Sequence, residues 1–156
     1  MPEKDLAAEL AEHRFMQGLP DELIRQMAGC VTGVEQWDAD AVLFRAGGVA
    51  DRCFLIRSGE VALEVHSPGA GSRIVQTVSR GEVLGWSWLF PPFRWEFDAR
   101  VLTPLEAIVL VGDKMRTCVG EHREFGFEVM SRFAQVIVGR LQATRLQLLD
   151  LYASRN

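Results

Sequence analysis

The run Arg52-Cys53-Phe54-Leu55-Ile56-Arg57-Ser58-Gly59-Glu60-Val61-Ala62-Leu63-Glu64-Val65 decides the fold. Two short apolar runs flank Ser-Gly-Glu, and residues such as Val, Ile and Phe fit the pleated surface of a sheet. Arg57-Ser58-Gly59-Glu60 reads as a tight hairpin linking residues 53–56 to 61–65. The same grain extends over residues 31–111. It predicts strands near 31–37, 42–45, 53–57, 60–65, 73–78, 83–84, 97–102 and 105–110. Bends fall at Ala46-Gly47-Gly48, at Ser67-Pro68-Gly69-Ala70-Gly71-Ser72 and at Ser79-Arg80-Gly81-Glu82. Eight short strands with turn signals between them mark an all-β sandwich or barrel.

On either side the period becomes helical. Residues 5–16 place Leu6, Leu10 and His13 on one side of a helix with Asp5 as its N-cap. Gly18 breaks it, and residues 19–28 form a second short helix with Pro20, Asp21 and Glu22 at its start and Gly29 at its end. After Gly112, a short helix over 113–120 precedes a long one over 123–153. Steps of four and three alternate through Met130, Ala134, Ile137, Leu141, Thr144, Leu148 and Leu151, a coiled-coil-like seam. The first half of this helix is expected to pack on the β domain with Phe125, Phe127, Phe133 and Val136. The second half has little domain left to cover, so the seam predicts a homodimer.

A chain of 156 residues, 48% hydrophobic and 24% charged, suits a single domain with a real core. Its net charge of −4, with two lysines and fifteen dispersed arginines, does not form the basic patch that nucleic acids need. Cys30, Cys53 and Cys118 are odd in number, with no C-x-x-C pair and no histidine at ligand spacing, so neither structural disulfides nor a metal site is expected. Haem ligation by His13, His66 or His122 has no pattern behind it. The acidic start has no signal-peptide core, and no run reaches the ~18 apolar residues of a membrane span. A cytoplasmic, reduced protein is the expectation.

One stretch is unusual. Gly81-Glu82-Val83-Leu84-Gly85-Trp86-Ser87-Trp88-Leu89-Phe90-Pro91-Pro92-Phe93-Arg94-Trp95-Glu96-Phe97-Asp98-Ala99-Arg100-Val101 holds three of the four tryptophans, three phenylalanines and two arginines. It reads as a loop that meets a ligand or a partner, because Trp and Arg dominate binding hot spots. An aromatic site would stack a planar compound on Trp86 or Trp88, with Arg94 or Arg100 on an anionic group. The bland reading is a Pro-stiffened loop whose rings fill their own pocket.

Residues 43–61, with a Gly turn at 47–48, Asp51 leading into Cys53-Phe54-Leu55-Ile56, and then Ser58-Gly59-Glu60-Val61, resemble the early strands of the cyclic nucleotide-binding domain found in catabolite-activator-like regulators. Arg80-Gly81-Glu82-Val83-Leu84-Gly85 is similar to the start of that family's phosphate-binding cassette. The resemblance covers roughly residues 15–150. It implies a mainly β fold with flanking helices: an eight-stranded, jelly-roll-like β-roll over about 31–111, short helices over about 5–28 and C-terminal helices over about 113–153, all in one domain of 1–156. It also implies a cyclic nucleotide such as cAMP or cGMP as ligand, held by backbone N–H groups at a turn of helix, by a Glu on the ribose and by an Arg on the phosphate.

Here the Glu position is Trp86 and the Arg position Phe97. Loss of the guanidinium removes a bidentate, charge-assisted contact. The site implied by the resemblance therefore comprises Leu84, Gly85, Trp86, Ser87, Trp88, Arg94, Asp98, Ala99 and Arg100, with Arg94 or Arg100 as the replacement for the missing Arg. Whether Arg100 faces inward depends on strand register.

No Ser/His/Asp order, phosphate loop or metal motif is present, so no catalytic residues are expected. No helix-turn-helix is expected after the long helix, and Arg140, Arg145 and Arg155 are too few to serve a groove, so DNA binding is not expected. The resulting expectation is a stand-alone regulatory domain that senses a small ligand through an atypical cassette and signals to a separate partner protein, such as a metabolic or redox enzyme. The alternative is a ligand-free module that docks through the Trp-rich loop and the long helix.

Overall fold

The computed structural model describes residues 3–154. Asp5 has no described side chain, and Arg155 lies outside the described residues. Helix α1 (Glu3–Glu12) leads through a 3₁₀ turn (Arg14–Met16) to α2 (Asp21–Ala28). Asp5 falls inside α1 rather than at its cap. Six antiparallel strands follow among the described residues: β1 (Val31–Trp37), β2 (Val42–Phe44), β3 (Arg52–Ser67), β4 (Gly71–Val78), β5 (Val83–Leu84) and β6 (Asp98–Val111). Their order is β1-β6-β3-β4, with β2 also on β6 and β5 also on β3. Helices α3 (Gly112–Glu121) and α4 (Arg123–Ser154) close the chain.

The count of six replaces the expected eight for one physical reason. Residues 53–57 and 60–65 are a single strand, as are 97–102 and 105–110. β3 stays paired with β6 along its length, from Cys53↔Leu110 to Glu64↔Asp98. Ser58-Gly59-Glu60 is therefore not a hairpin. The register slips on both sides of it, and two long strands bend together through bulges to turn the corner of the roll. Gly59 sits at φ +92°, and a Cβ there would stand 2.3 Å from the Pro104 carbonyl oxygen, so this corner admits only glycine.

Below the bend both paired strands are buried on two faces, which explains their unbroken apolar runs. Phe54, Ile56, Ala107 and Val109 point into the roll, with Val61, Leu63, Leu84, Ala99 and Val101. Their neighbours Cys53, Leu55, Ile108 and Leu110 point the other way, onto Leu10, Met27, Met115, Phe125, Val129 and Phe133 of the helices. Alternate residues of one strand thus serve two cores. His13 ties the N-terminal helices to β3: its Nδ1 accepts from Phe15 N–H at 3.1 Å, so Nε2 donates to the Ile56 carbonyl at 2.9 Å. Burial first, then the Arg14 and Arg57 charges, lower the pKa of this imidazole, against the raising effect of the Ile56 bond.

On α4, Phe125, Val129 and Phe133 repeat every four residues and are buried. Phe127, expected to pack with them, is 71% exposed, because two residues on a helix lead to the far side. Gly126 lets α4 approach α3, where a Cβ would meet the Val119 carbonyl oxygen at 2.7 Å. Arg140 is the last buried residue, and residues 141–154 are exposed throughout. Among the described residues no helix is long and apolar enough to cross a membrane.

Candidate functional site

β5 carries Leu84 onto Phe54 of β3, and the next residue, Gly85, starts the loop with a φ of +95°. A Cβ on Gly85 would meet the Trp95 ring at 3.0 Å, so the glycine also makes room for that indole. The loop then runs through turns rather than a helix: Leu89 N–H bonds to the Trp86 carbonyl, and Phe93 N–H to the Phe90 carbonyl. It returns against the Gly turn after β2. Trp95 N–H donates to the Gly48 carbonyl at 2.9 Å, Gly47 N–H to the Trp95 carbonyl at 2.8 Å, and Ala50 N–H to the Phe93 carbonyl at 2.8 Å.

These bonds press the Trp95 indole flat on Phe44, with ring centroids 3.8 Å apart and planes at 11°. Trp86 lies beside it under the Arg140 guanidinium, whose carbon is 4.7 Å from the ring centroid. Among the residues around the remaining space are Leu63, Leu84, Gly85, Ser87, Glu96 and Phe97, and the space itself is about 20 Å³. One water needs roughly 10–15 Å³. Small-ligand sites measure about 300–1,000 Å³. The aromatic side chains occupy the cassette themselves.

Of the residues expected at the site, Leu84, Gly85, Trp86 and Ser87 come together here. Trp88 turns the other way, fully buried and edge-on to Phe133 of α4, with its N–H on the Gly85 carbonyl at 3.1 Å. Arg94 is exposed and reaches the Gly47 carbonyl. Asp98 accepts from Ala46 N–H at 2.8 Å and faces Arg45 at 3.7 Å.

Ala99 and Val101 point into the roll, so Arg100 points out of it by strand alternation. There its Nε donates to Glu64 at 2.7 Å and another nitrogen to Asp40 at 3.2 Å. The hydrogen bond and charge of Glu64 first, and Asp40 after it, hold the Arg100 pKa above its ordinary value. Neither Arg94 nor Arg100 lines the cavity.

Phe44, Leu63 and Arg140 come from outside the stretch read as the loop that meets a ligand, while Trp95 and Glu96 belong to that stretch. Phe97 lines the cavity, at the position where the resemblance sets the phosphate-binding Arg. Arg140 arrives from α4, donating to the Val83 carbonyl at 2.5 Å across 57 residues of chain. Burial lowers its pKa to about 10, with the Glu82 charge opposing. A second arginine, Arg116 of α3, fastens the loop from behind. It donates to the Trp88 carbonyl at 2.6 Å, pairs with Asp113 and lies 4.5 Å from the centre of the Phe93 ring.

The sequence matches the cyclic nucleotide-binding domain family over residues 34–122, more than half of the chain. The chain belongs to that family, whose domains are regulatory rather than catalytic. Solved structures agree on the fold. A protein of Geobacter metallireducens GS-15 described as a cyclic nucleotide-binding protein is 23% identical, with a TM-score of 0.75 over 90% of this chain and 98% of its own. A cyclic nucleotide-binding domain from Methylobacillus flagellatus KT is 18% identical, with a TM-score of 0.77 over 95% and 83%. The regulatory subunit of a cAMP-independent protein kinase A from Trypanosoma cruzi, bound to guanosine, is 18% identical, with a TM-score of 0.69 over 85% of this chain and 46% of that one. No curated protein matches the sequence.

Proposed function

We propose that this chain is a non-catalytic regulatory interaction module whose cassette is filled by its own rings and whose working surface is the free half of α4. The observation that carries the reading is the 20 Å³ left in the cassette, against exposures of 50–67% at Leu141, Leu146, Leu148, Leu149, Leu151 and Tyr152. Apolar side chains fill the space where a ligand would sit and lie uncovered where a partner would sit. The neighbour from T. cruzi is a regulator described as cAMP-independent, so dependence on cAMP does not come with the fold.

The occupant of the α4 face is a second copy of this chain. The seam Met130, Ala134, Ile137, Leu141, Thr144, Leu148 and Leu151 repeats in steps of four and three, the spacing that seats knobs into holes of an identical helix. Movement of the hinge between α3 and α4 would carry a signal from the loop to that seam and on to a separate partner protein. The non-catalytic reading is supported by the cysteines, which are buried and free, with burial pushing the Cys30 thiol up to about 11. Glu82 is engaged by Ser79 and Asp98 by Ala46.

Sedimentation equilibrium tests the reading. The wild-type chain is expected to sediment as a dimer and Leu141→Glu/Leu148→Glu as a folded monomer, since both positions are exposed in the protomer. A wild-type monomer at all concentrations would remove α4 as a self-docking surface.

A further inference from the structure

Arg140 faces two spaces. On one side lies the filled cassette; on the other is an open cleft of about 380 Å³ between the 3₁₀ turn, the turn before β5 and α4, bordered by Arg14, Phe15, Gln76, Glu82, Gln135 and Arg140. The geometry points to this outer cleft as a binding site for a small organic oxyanion, a phosphate monoester or carboxylate, held between the guanidinium groups of Arg14 and Arg140 with its apolar body on Phe15.

Four observations support it. Arg140 is only 8% exposed, and the Glu82 charge acts on it without a salt bridge forming among the described residues. Its direct partners are the Val83 carbonyl and the face of Trp86. A buried cation is costly unless a charge meets it, and the planar guanidinium fork matches an oxyanion in particular. Arg14 is exposed and laid along the turn, since a Cβ built on Gly81 would stand 3.0 Å from its guanidinium carbon. Glu82, the acidic group on the cleft among the described residues, already accepts from the N–H and hydroxyl of Ser79, at 3.1 and 2.9 Å. Two positive groups and one negative group therefore border the cleft, a net positive charge that suits an oxyanion. Phe15, half-buried and edge-on to Phe133, gives the cleft an apolar wall, and Gly139 leaves the α4 side open, since a Cβ there meets nothing within 4 Å.

The α4 residues on the cleft, Gln135, Val136, Gly139 and Arg140, are not members of the seam, so the site does not require α4 to pair with a second copy. An occupant would bridge the 3₁₀ turn to α4 at the last residue before its free half.

Calorimetric titration of the full chain with phenyl phosphate and with inorganic phosphate tests the site. Phenyl phosphate is expected to bind saturably in the millimolar range or tighter, and inorganic phosphate more weakly for want of the ring. Arg14→Gln, at an exposed position where folding is retained, is expected to weaken phenyl phosphate by about tenfold or more, the worth of one charge-assisted hydrogen bond. Arg100→Gln, remote from the cleft, is expected to leave it unchanged. Absence of saturable binding by either probe overturns the site, as does binding that Arg14→Gln leaves intact. Equal binding of the two probes overturns the apolar wall.

Discussion

Trp95 shows how a few contacts set what the cassette can do. Its backbone pairs with Gly48, its ring stacks on Phe44, and Gly85 has no side chain to obstruct it. Such a stack contributes about 0.5–1.5 kcal/mol beyond its burial. Trp95→Ala is expected to cost about 3–5 kcal/mol in denaturant unfolding, the range for removing a large buried ring. It would also leave a cavity bounded by Phe44 and Trp86. Indole is then expected to raise the Tm of Trp95→Ala and leave that of the wild type unmoved, since a ligand stabilises only the fold that has room for it. An equal shift in both proteins would show that the wild-type cassette is not full. The sequence made the two departures at Trp86 and Phe97 legible, because flanking glycines and an Ala-x-Val segment fix those positions. It set Trp95 in the same loop but hid its stack on Phe44, which depends on pairing with a turn nearly fifty residues earlier.

Among the elements, the long strands β3 and β6 carry the architecture, and their shared bend is where local reading and structure part. Ser and Gly are turn residues, so Ser58-Gly59-Glu60 looks like a hairpin when only its own neighbours are considered. What keeps the chain going forward is on the other strand. β6 pairs with β3 before and after the bend, and Pro104, which lacks a backbone N–H, sits at the bulge opposite Gly59 where a ladder bond is not needed. Apolar periodicity therefore located the buried residues but could not count the strands.

Gly59→Ala tests the corner. The positive φ alone costs on the order of 1–3 kcal/mol for a residue with a side chain, and contact with the Pro104 carbonyl adds to it. Chemical denaturation is expected to show a loss at the top of that range or beyond. A loss under about 0.5 kcal/mol, the usual scale of a surface substitution, would mean that the strands do not cross so closely. Gly139→Ala offers the contrast, since a Cβ there meets nothing and alanine favours a helix.

At the scale of the molecule, α4 joins everything. Its first half completes the outer core, Arg140 reaches both the cassette and the outer cleft, and residues 141–154 leave the protomer with their apolar side chains uncovered. The length of this helix was readable from its spacing. The role of Arg140 was not, since one arginine in a helix has no local signature and its contacts come from residues 83 and 86. The fold arose from short-range patterns that many residues repeat, whereas the site arose from single residues brought together across the chain. The account rests on a cassette closed by Trp86 and Trp95. Calorimetric titration of Arg14→Gln, in which the outer cleft is weakened, with cAMP and cGMP tests that directly: no saturable binding at millimolar nucleotide is the predicted result, and saturable binding accompanied by a change in tryptophan fluorescence would contradict it.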